Sequence, residues 1–374
     1  MKNYIFKNEV IISKIIERFL VFLFFFIALI FLSNKIFTHT LIGANYDGRL
    51  MFHLLDDSMI NFKISYNFWN KGFPYFNIND SVSANTSLFW PILTSFIFFF
   101  FEKNESVIIL YLLSGFLFSL IAVLFFIYEK NKFKSFLKCF FLLFTPMTME
   151  YSTSGWEHIP QALLVTLSFL IIFKNSSKKL QIPNKSLIIL SFAFLLRIDT
   201  APLIFVVFIF WLSINFKKIF SKNLSKNIIT LLVCISILLF YLILMNYFYN
   251  DFFPNTYYLK SLSINESILL GFKYFLNPLK SNYWFFIFLI IFINYKKLNS
   301  FQKFVTISIL FQFIYLICVG GDIFNNSRFL ILIIPILIFI FVDLVYEYLS
   351  SIKFKFINKK FFISYVLLIF IFLQ

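Results

Sequence analysis

Residues 129–173 read EKNKFKSFLKCFFLLFTPMTMEYSTSGWEHIPQALLVTLSFLIIF: a lysine-rich segment, an apolar run, an acidic segment with a glycine, and a second apolar run. The same order recurs along the chain. Lysine-rich segments alternate with segments that are poorer in lysine and contain Asp, Glu, Gly or Asn, the first set at 174–185, 217–226, 296–303 and 353–360 and the second at 197–200, 250–282 and 320–328. Cytoplasmic loops of membrane proteins are enriched in Lys and Arg. The alternation therefore predicts that the lysine-poor loops face outward.

The composition of the chain indicates an integral membrane protein. Of its 374 residues, 60% are hydrophobic and only 13% are charged, which is outside the range of a soluble domain. The net charge of +16 comes mainly from the loop lysines and suits an anionic lipid bilayer surface. These cations are dispersed between apolar runs rather than gathered on one face, so we expect no nucleic-acid partner.

The apolar runs predict about eleven transmembrane helices, at 15–37, 107–128, 136–149, 159–173, 187–196, 201–216, 228–248, 283–295, 304–319, 329–348 and 361–374. A twelfth run, 88–101, would reverse every later loop if it crossed the membrane. Treating it as re-entrant or broken leaves 23 of the 33 Lys and Arg residues on the cytoplasmic side.

The expected fold is therefore an all-α polytopic bundle, a single domain over residues 1–374 with a first extracytoplasmic loop at 38–87. The last predicted helix stops at Gln374 after 14 residues. This is short for a membrane crossing, so truncation of the chain at its C-terminus is one interpretation.

An acidic pair, Asp56 and Asp57, lies in the segment HLLDDSMINFKISYNFWNKGFP at 53–74. The apolar residues that follow the pair predict an amphipathic helix along the membrane surface. Two interpretations are open. Asp57 or Ser58 is the N-cap of that helix, or a carboxylate at the lipid–water boundary serves as a general base.

Six short segments, in order, resemble motifs of the polyprenyl-phosphate-dependent glycosyltransferases of the GT-C fold, in particular the arabinofuranosyltransferase-like branch. They are DDSMI at 56–60, VSANTSLFW at 82–90, SGWE at 154–157, RIDT at 197–200, FPNTYYLK at 253–260, and GGD at 320–322 followed by Arg328. The resemblance covers about residues 15–350. All six segments fall on the face that the lysine pattern assigns to the outside.

The resemblance implies a GT-C-like bundle in a plasma or inner membrane, with an active site that faces the periplasm or the cell exterior. A sugar would pass from a polyprenyl-phosphate donor to a glycan or glycolipid acceptor of the cell envelope, with inversion. In this interpretation Asp56 is the general base and Asp57 orients the acceptor or a helix end. Arg197, Lys260 and Arg328 hold the leaving phosphate. Each also has a structural interpretation: Arg197 pairs with Asp199 at a helix end, Lys260 extends its ammonium to the membrane interface, and Arg328 anchors a span there. The remaining candidates bind sugar hydroxyls or orient the cations, namely Glu157, Asp199, Asn255, Thr256 and Asp322.

The sequence leaves the question of a cofactor open. Asp56, Asp57 and Glu157 offer oxygen ligands of the kind that hold a divalent cation, and GT-C enzymes work both with and without one. The three histidines, His39, His53 and His158, show no zinc-binding spacing.

Two other functions remain as alternatives. A transporter or flippase of lipid-linked glycans would place charges within its spans and often shows repeated halves, neither of which is evident. An O-antigen polymerase or ligase would rely on a large late outer loop, whereas residues 320–328 form a loop of only nine residues.

Overall fold

The computed structural model describes residues 2–36, 42–46, 49–176, 179–219, 224–259, 263–276, 284–322 and 325–351. Over these residues the chain is predominantly helical. The helices are α1 (Lys2–Ile36), α2 (Asp56–Lys71), α3 (Phe89–Ser95), α4 (Lys103–Tyr128), α5 (Lys132–Phe144), α6 (Pro146–Tyr151), α7 (His158–Asn175), α8 (Asn184–Leu196), α9 (Ala201–Ile219), α10 (Leu224–Tyr249), α11 (Asn255–Leu259), α12 (Ile264–Leu276), α13 (Trp284–Ile293), α14 (Ser300–Cys318) and α15 (Ile334–Ser351).

Six of the described helices are long and apolar enough to cross a membrane: α1, α4, α7, α9, α10 and α14. Large apolar side chains remain exposed on their surfaces, including Phe24 and Ile27 of α1 and Ile243 of α10. A continuous surface of this kind is unfavourable in water. The protein is therefore membrane-embedded, as the composition predicts.

Several predicted spans form helices that are shorter than a bilayer crossing. The 13 residues of α8 and the 10 residues of α13 extend only about 20 Å and 15 Å, against a hydrocarbon core of about 30 Å. The predicted span at 136–149 divides into α5 and α6, because Thr145 precedes Pro146 and takes an extended conformation with ψ 124°. The predicted span at 361–374 lies outside the described residues.

Residues 88–101 do not form a full-length helix. They contain the 7-residue α3 and a 3₁₀ turn over Phe96–Phe99, and α3 packs against α2 and α8. This short, broken arrangement agrees with the prediction that the segment is not a continuous span.

The first predicted outer loop contains a hairpin that the sequence analysis did not identify. Strands β1 (Ile42–Tyr46) and β2 (Arg49–His53) pair antiparallel, with Ala44 opposite Met51, and lead directly into α2. A second feature that the sequence did not predict is α12, which lies within the region 250–282 and packs against α14. At Gly271 of α12 a Cβ atom would lie 2.3 Å from the carbonyl oxygen of Ile317, so only glycine allows this close approach.

The core of the described bundle is built around α15 and the residues before it. Every residue from Arg328 to Asp343 is buried, as expected for a helix that is apolar on all sides. Helices α5, α7 and α13 pack against α15. Arg328 therefore lies at one end of a buried segment and Asp343 lies towards the other.

Asp343 takes part in a buried ionic network with residues of the lysine-rich segment 129–138. The Lys138 side chain is fully buried, and its Nζ lies 2.7 Å from Glu129 Oε2 and 3.0 Å from Asp343 Oδ1. Lys134 Nζ lies 3.3 Å from the same Asp343 oxygen, and the Lys138 ammonium rests on the Phe339 ring. This network joins the end of α4, α5 and α15.

Candidate active site

The first part of the site is an ion pair between the start of α2 and the residues that precede α15. Arg328 Nη1 lies 2.5 Å from Asp57 Oδ2, across 271 positions of sequence. Arg328 Nε also donates to the Asp322 carboxylate. The guanidinium carbon lies 4.6 Å from the centroid of the Trp156 ring, so the cation is held by two carboxylates and an aromatic face.

Glycine is required in the turn that carries Asp322. Gly320 and Gly321 have φ values of +87° and +69°, a region that residues with a Cβ atom rarely adopt. A Cβ atom at Gly321 would also lie 2.5 Å from the Tyr274 side chain. The GG pair therefore lets the chain turn sharply at the end of α14 and bring Asp322 to Arg328.

The second part of the site is centred on Arg197, in the turn between α8 and α9. Its Nη1 lies 2.5 Å from Glu157 Oε1, and its Nε lies 3.0 Å from Asp199 Oδ2. All three side chains are buried. Buried charges are tolerated only where they are paired and hydrogen-bonded, and the surrounding amides supply further bonds.

Four amide side chains complete the Arg197 group. Asn61 of α2 donates to Glu157 Oε2 at 2.7 Å, and Asn85 donates to Asn61. Gln161 of α7 donates to Asp199 Oδ1 at 2.5 Å. Gln312 of α14 donates to the Asp199 carbonyl at 3.1 Å. Side chains of α7 and α14 thus hold the turn at 197–200 directly, and Asn61 of α2 holds it through Glu157.

An aromatic ring separates the two arginines. The Phe329 centroid lies 5.2 Å from the guanidinium carbon of Arg197 and 5.3 Å from that of Arg328. The His158 ring stacks on Phe329 at 5.7 Å. Neither imidazole nitrogen of His158 has a hydrogen-bond partner among the described residues. Because both guanidinium groups lie against the same Phe329 ring, the Arg197 group and the Arg328 ion pairs belong to one site.

A cavity of about 510 Å³ lies beside Arg197 and Asp199, within the range of about 300–1,000 Å³ that is usual for small-molecule sites. Its walls are largely apolar and include several aromatic rings, and the hydroxyl-bearing residues include Thr256, Tyr241 and Tyr315. Asp56, Asp57 and Arg328 are not part of its wall. The cavity therefore opens on the Arg197 side of Phe329.

The acidic pair does not cap α2 in the way that the sequence suggested. The N-cap is Leu55, which makes no side-chain cap bond, and Asp56 and Asp57 occupy the first helical turn. The prediction of Asp57 or Ser58 as N-cap is wrong, because the Ser58 hydroxyl donates instead to the Ser154 carbonyl at 2.5 Å and Asp57 binds Arg328. Both carboxylates still interact favourably with the positive end of the helix dipole.

The two carboxylates have different surroundings. Asp56 is exposed and makes no hydrogen bond or ion pair with a described residue, whereas the Asp57 side chain is 38% exposed and paired with Arg328. Among the described residues, Asp57 is therefore the member of the pair that holds Arg328, and Asp56 is the exposed one.

The remaining predicted residues are Asn255, Thr256 and Lys260. Thr256, in the short helix α11, lines the cavity. The Asn255 backbone amide donates to the Ser83 carbonyl at 3.3 Å, which ties α11 to the segment 82–90. Lys260 lies outside the described residues.

The proposed carboxylate trio does not form a cation site in the described part of the chain. There, no three His, Cys, Asp or Glu side chains lie close enough together to hold a metal ion. Glu157 is engaged by Arg197 and Asn61, and Asp57 is engaged by Arg328.

The sequence analysis missed the amides that hold the site. A usable signal was present, since Asn61 and Gln161 each lie four residues after an acidic residue of the site, Asp57 and Glu157. Residues at this spacing share one helix face, so a polar residue one turn beyond a candidate acid was a further candidate. Tyr241 and Tyr315 lie inside apolar runs and gave no such signal.

No protein-family model, curated protein or solved structure matches this chain. Its function must therefore be inferred from its own residues and their geometry.

Proposed function

We propose that this protein is a membrane glycosyltransferase that moves a sugar from a polyprenyl-phosphate donor to a glycan or glycolipid acceptor of the cell envelope. The observation that carries the proposal is the ion pair between Asp57 and Arg328. It joins the acidic pair of the first loop to the last motif of the chain. The Arg197 group, built from two further motif segments, lies on the other side of Phe329.

The arrangement suits displacement of a phosphate leaving group. Negative charge develops on the phosphate as the bond to the sugar breaks, and guanidinium groups fixed in advance stabilise that charge. Arg is well suited because it offers two donors in a rigid plane. Arg197 and Arg328 are both fixed by carboxylates and aromatic rings, so little reorganisation is needed during the reaction.

Asp56 is the group that we assign as general base. Its carboxylate is exposed and has no partner in the described part of the chain, while Asp57 keeps Arg328 in place. Removal of the acceptor hydroxyl proton by Asp56 would accompany attack on the anomeric carbon, and the phosphate would leave from the opposite face with inversion. Asp57 is then a positioning residue.

The orientation of the site favours a lipid-linked donor over a nucleotide sugar. The lysine-rich segments predict that the site faces outward, where nucleotide sugars are not supplied. A sugar activated in the cytoplasm can reach that face on a membrane lipid. The cell envelope provides glycan and glycolipid acceptors there.

The test is a donor assay with purified protein in lipid nanodiscs. Polyprenyl-phosphate monosaccharides should be bound or consumed, with release of polyprenyl phosphate, and nucleotide sugars should be ignored. An Arg328→Leu variant serves as the control, since it loses the cation that Asp57 and Asp322 hold. Turnover of a nucleotide sugar in the absence of lipid donor would refute the proposal.

A further inference from the structure

The cavity beside Arg197 contains polar groups that the protein itself does not satisfy. The hydroxyl oxygens of Tyr241 and Thr256 are buried and have no hydrogen-bond partner among the described residues. Tyr315 is partly exposed, lines the same cavity, and lies near enough to Asp199 and Arg197 to interact electrostatically with both. Its hydroxyl likewise makes no hydrogen bond to a described residue. Buried polar groups in native proteins are nearly always paired, so the buried hydroxyls of Tyr241 and Thr256, with Tyr315 in the same wall, favour a polar ligand in this cavity.

We propose that this cavity binds the sugar ring of the substrate, and that Tyr315 and Tyr241 are specificity-determining residues that hydrogen-bond to sugar hydroxyls. The inference rests on the proposed function, because it assigns one part of the transferred substrate to one part of the site. Neither tyrosine belongs to the six motif segments.

The chemistry of the walls fits a sugar better than a hydrocarbon chain. A sugar ring has polar hydroxyls around its edge and C–H groups on its faces, and such faces pack well on aromatic rings. Phe253 and Tyr257, stacked at 5.0 Å, provide such a surface at the cavity wall. A polyprenyl chain would fill the apolar part of the cavity but leave the tyrosine and threonine hydroxyls unpaired.

The positions of the two tyrosines place the cavity next to the Arg197–Asp199 pair. Tyr315 lies on α14 one turn after Gln312, which donates to the Asp199 carbonyl. Tyr241 lies on α10, eight residues and therefore about 12 Å before Tyr249 at the end of that helix. Its ring is fixed by an edge-to-face contact with Phe194 at 5.3 Å. A sugar in the cavity would lie directly against the Arg197–Asp199 pair.

The test measures the binding of two classes of lipid, with and without a sugar, to three variants. They are Tyr315→Phe, Tyr241→Phe and a matched control, Tyr249→Phe. The probes are a panel of polyprenyl-phosphate hexoses and pentoses, and polyprenyl phosphate without sugar. The Tyr249 hydroxyl donates to the Pro74 carbonyl at 2.5 Å, so its loss should lower the melting temperature without changing sugar recognition. Neither the Tyr315 nor the Tyr241 hydroxyl makes a hydrogen bond with a described residue, so their removal should leave the melting temperature unchanged.

The expected result is a loss of affinity of about tenfold for the sugar-bearing lipids in each of the two cavity variants. Affinity for sugar-free polyprenyl phosphate should be unchanged. If both variants bind the sugar-bearing lipids as tightly as the wild type, or lose affinity for both lipids equally, the cavity is not the sugar site.

A different result is expected if the protein is not a glycosyltransferase that uses a lipid-linked donor. If the wild type binds neither lipid, the glycosyltransferase proposal falls, and free mono- and disaccharides then test the cavity alone. A rise in melting temperature with such a sugar in the wild type, absent from both cavity variants, would support the sugar site. No rise would overturn it.

Discussion

Asp56 and Asp57 are neighbours in sequence, but their partners give them different roles. Asp57 is held by Arg328, and Asp56 has no described partner. The ion pair occupies the Asp57 carboxylate, whereas the exposed Asp56 carboxylate is accessible to a substrate hydroxyl. Asp56 is therefore the better candidate for proton transfer, and Asp57 is the better candidate for fixing the cation.

Replacing Asp56 with Asn should greatly lower the rate of sugar transfer but leave the affinity for the donor unchanged. The substitution keeps the size of the side chain but removes the basic carboxylate, so we expect transfer to fall by about 10²–10⁴-fold, the usual contribution of a general base. Asp57→Asn is the matched comparison. It should weaken donor binding as well as transfer, because it releases Arg328. Near-normal transfer by Asp56→Asn together with inactive Asp57→Asn would reverse the assignment within the pair.

At the residue scale, the sequence could predict which residues are candidates but not which residues touch. The resemblance identified Asp57, Glu157, Arg197, Asp199, Asp322 and Arg328, and the structure brings all six into two adjacent ionic groups. The pairing of Asp57 with Arg328 joins the start of α2 to the residues before α15, 271 positions apart in sequence, which no local pattern records. The error in the N-cap has the same origin, since Ser58 bonds to a distant carbonyl rather than to its own helix.

At the element scale, the apolar runs located most of the helices, but their lengths were set by local chemistry. Pro146 divided one predicted span, and α8 ends at the Arg197 turn. The helix α12 was missed because its apolar residues are interspersed with polar ones in a region that otherwise contains turn residues. The hairpin of β1 and β2 was missed because its short strands have no strong alternation.

The buried ionic network around Lys138 also depends on packing between elements. In sequence Lys138 was one lysine of a cytoplasmic loop, whereas in the structure it is fully buried between Glu129 and Asp343. Burial by itself raises the pKa of Glu129, but the charge and hydrogen bond of Lys138 outweigh burial, and the pKa is lowered below its ordinary value of 4.5. Glu129 is thus ionised at neutral pH.

Lys138→Met should destabilise the protein much more than Lys132→Met. Removing one partner of a buried ion pair costs about 3–5 kcal/mol of unfolding free energy. Lys132, whose side chain is 75% exposed in its pair with Glu17, should contribute about 0–1 kcal/mol. Thermal or denaturant unfolding in detergent measures both. Equal effects of the two substitutions would contradict the buried network.

The Lys138 effect should also depend on pH. Because the pKa of Glu129 is lower in the folded protein, its pairing contributes fully above about pH 4.5 and is lost as the pH falls through the lowered pKa. The difference in stability between the wild type and Lys138→Met should therefore shrink in acid.

At the scale of the whole molecule, the candidate active site and the Lys138 network lie towards opposite ends of the buried segment that runs from Arg328 to Asp343. The active site contains the motif residues, and the Lys138 network belongs to the lysine-rich segment 129–138. The positive-inside rule assigns the lysine-rich end to the cytoplasm. The proposed active site is then on the outside.

Cysteine labelling of intact cells tests this orientation. In a Cys318→Ser background, we expect Ser81→Cys to react with a membrane-impermeant thiol reagent and Lys130→Cys to react only after permeabilisation. Both positions are exposed. The buried Ser154 is unsuitable as a probe even though its segment is predicted to face outward. Reaction of Lys130→Cys alone in intact cells would invert the protein and remove the basis for a lipid-linked donor.

The lipid extract of cells that lack the protein tests the proposed function most directly. A polyprenyl-phosphate monosaccharide should accumulate, since its consumer is missing, and wild-type protein but not Asp56→Asn should clear it. Accumulation of a complete lipid-linked glycan would instead favour the flippase alternative, and accumulation of single repeat units on lipid would favour the polymerase or ligase. An unchanged level of every polyprenyl-phosphate monosaccharide, with the protein's pathway active, would contradict the glycosyltransferase proposal.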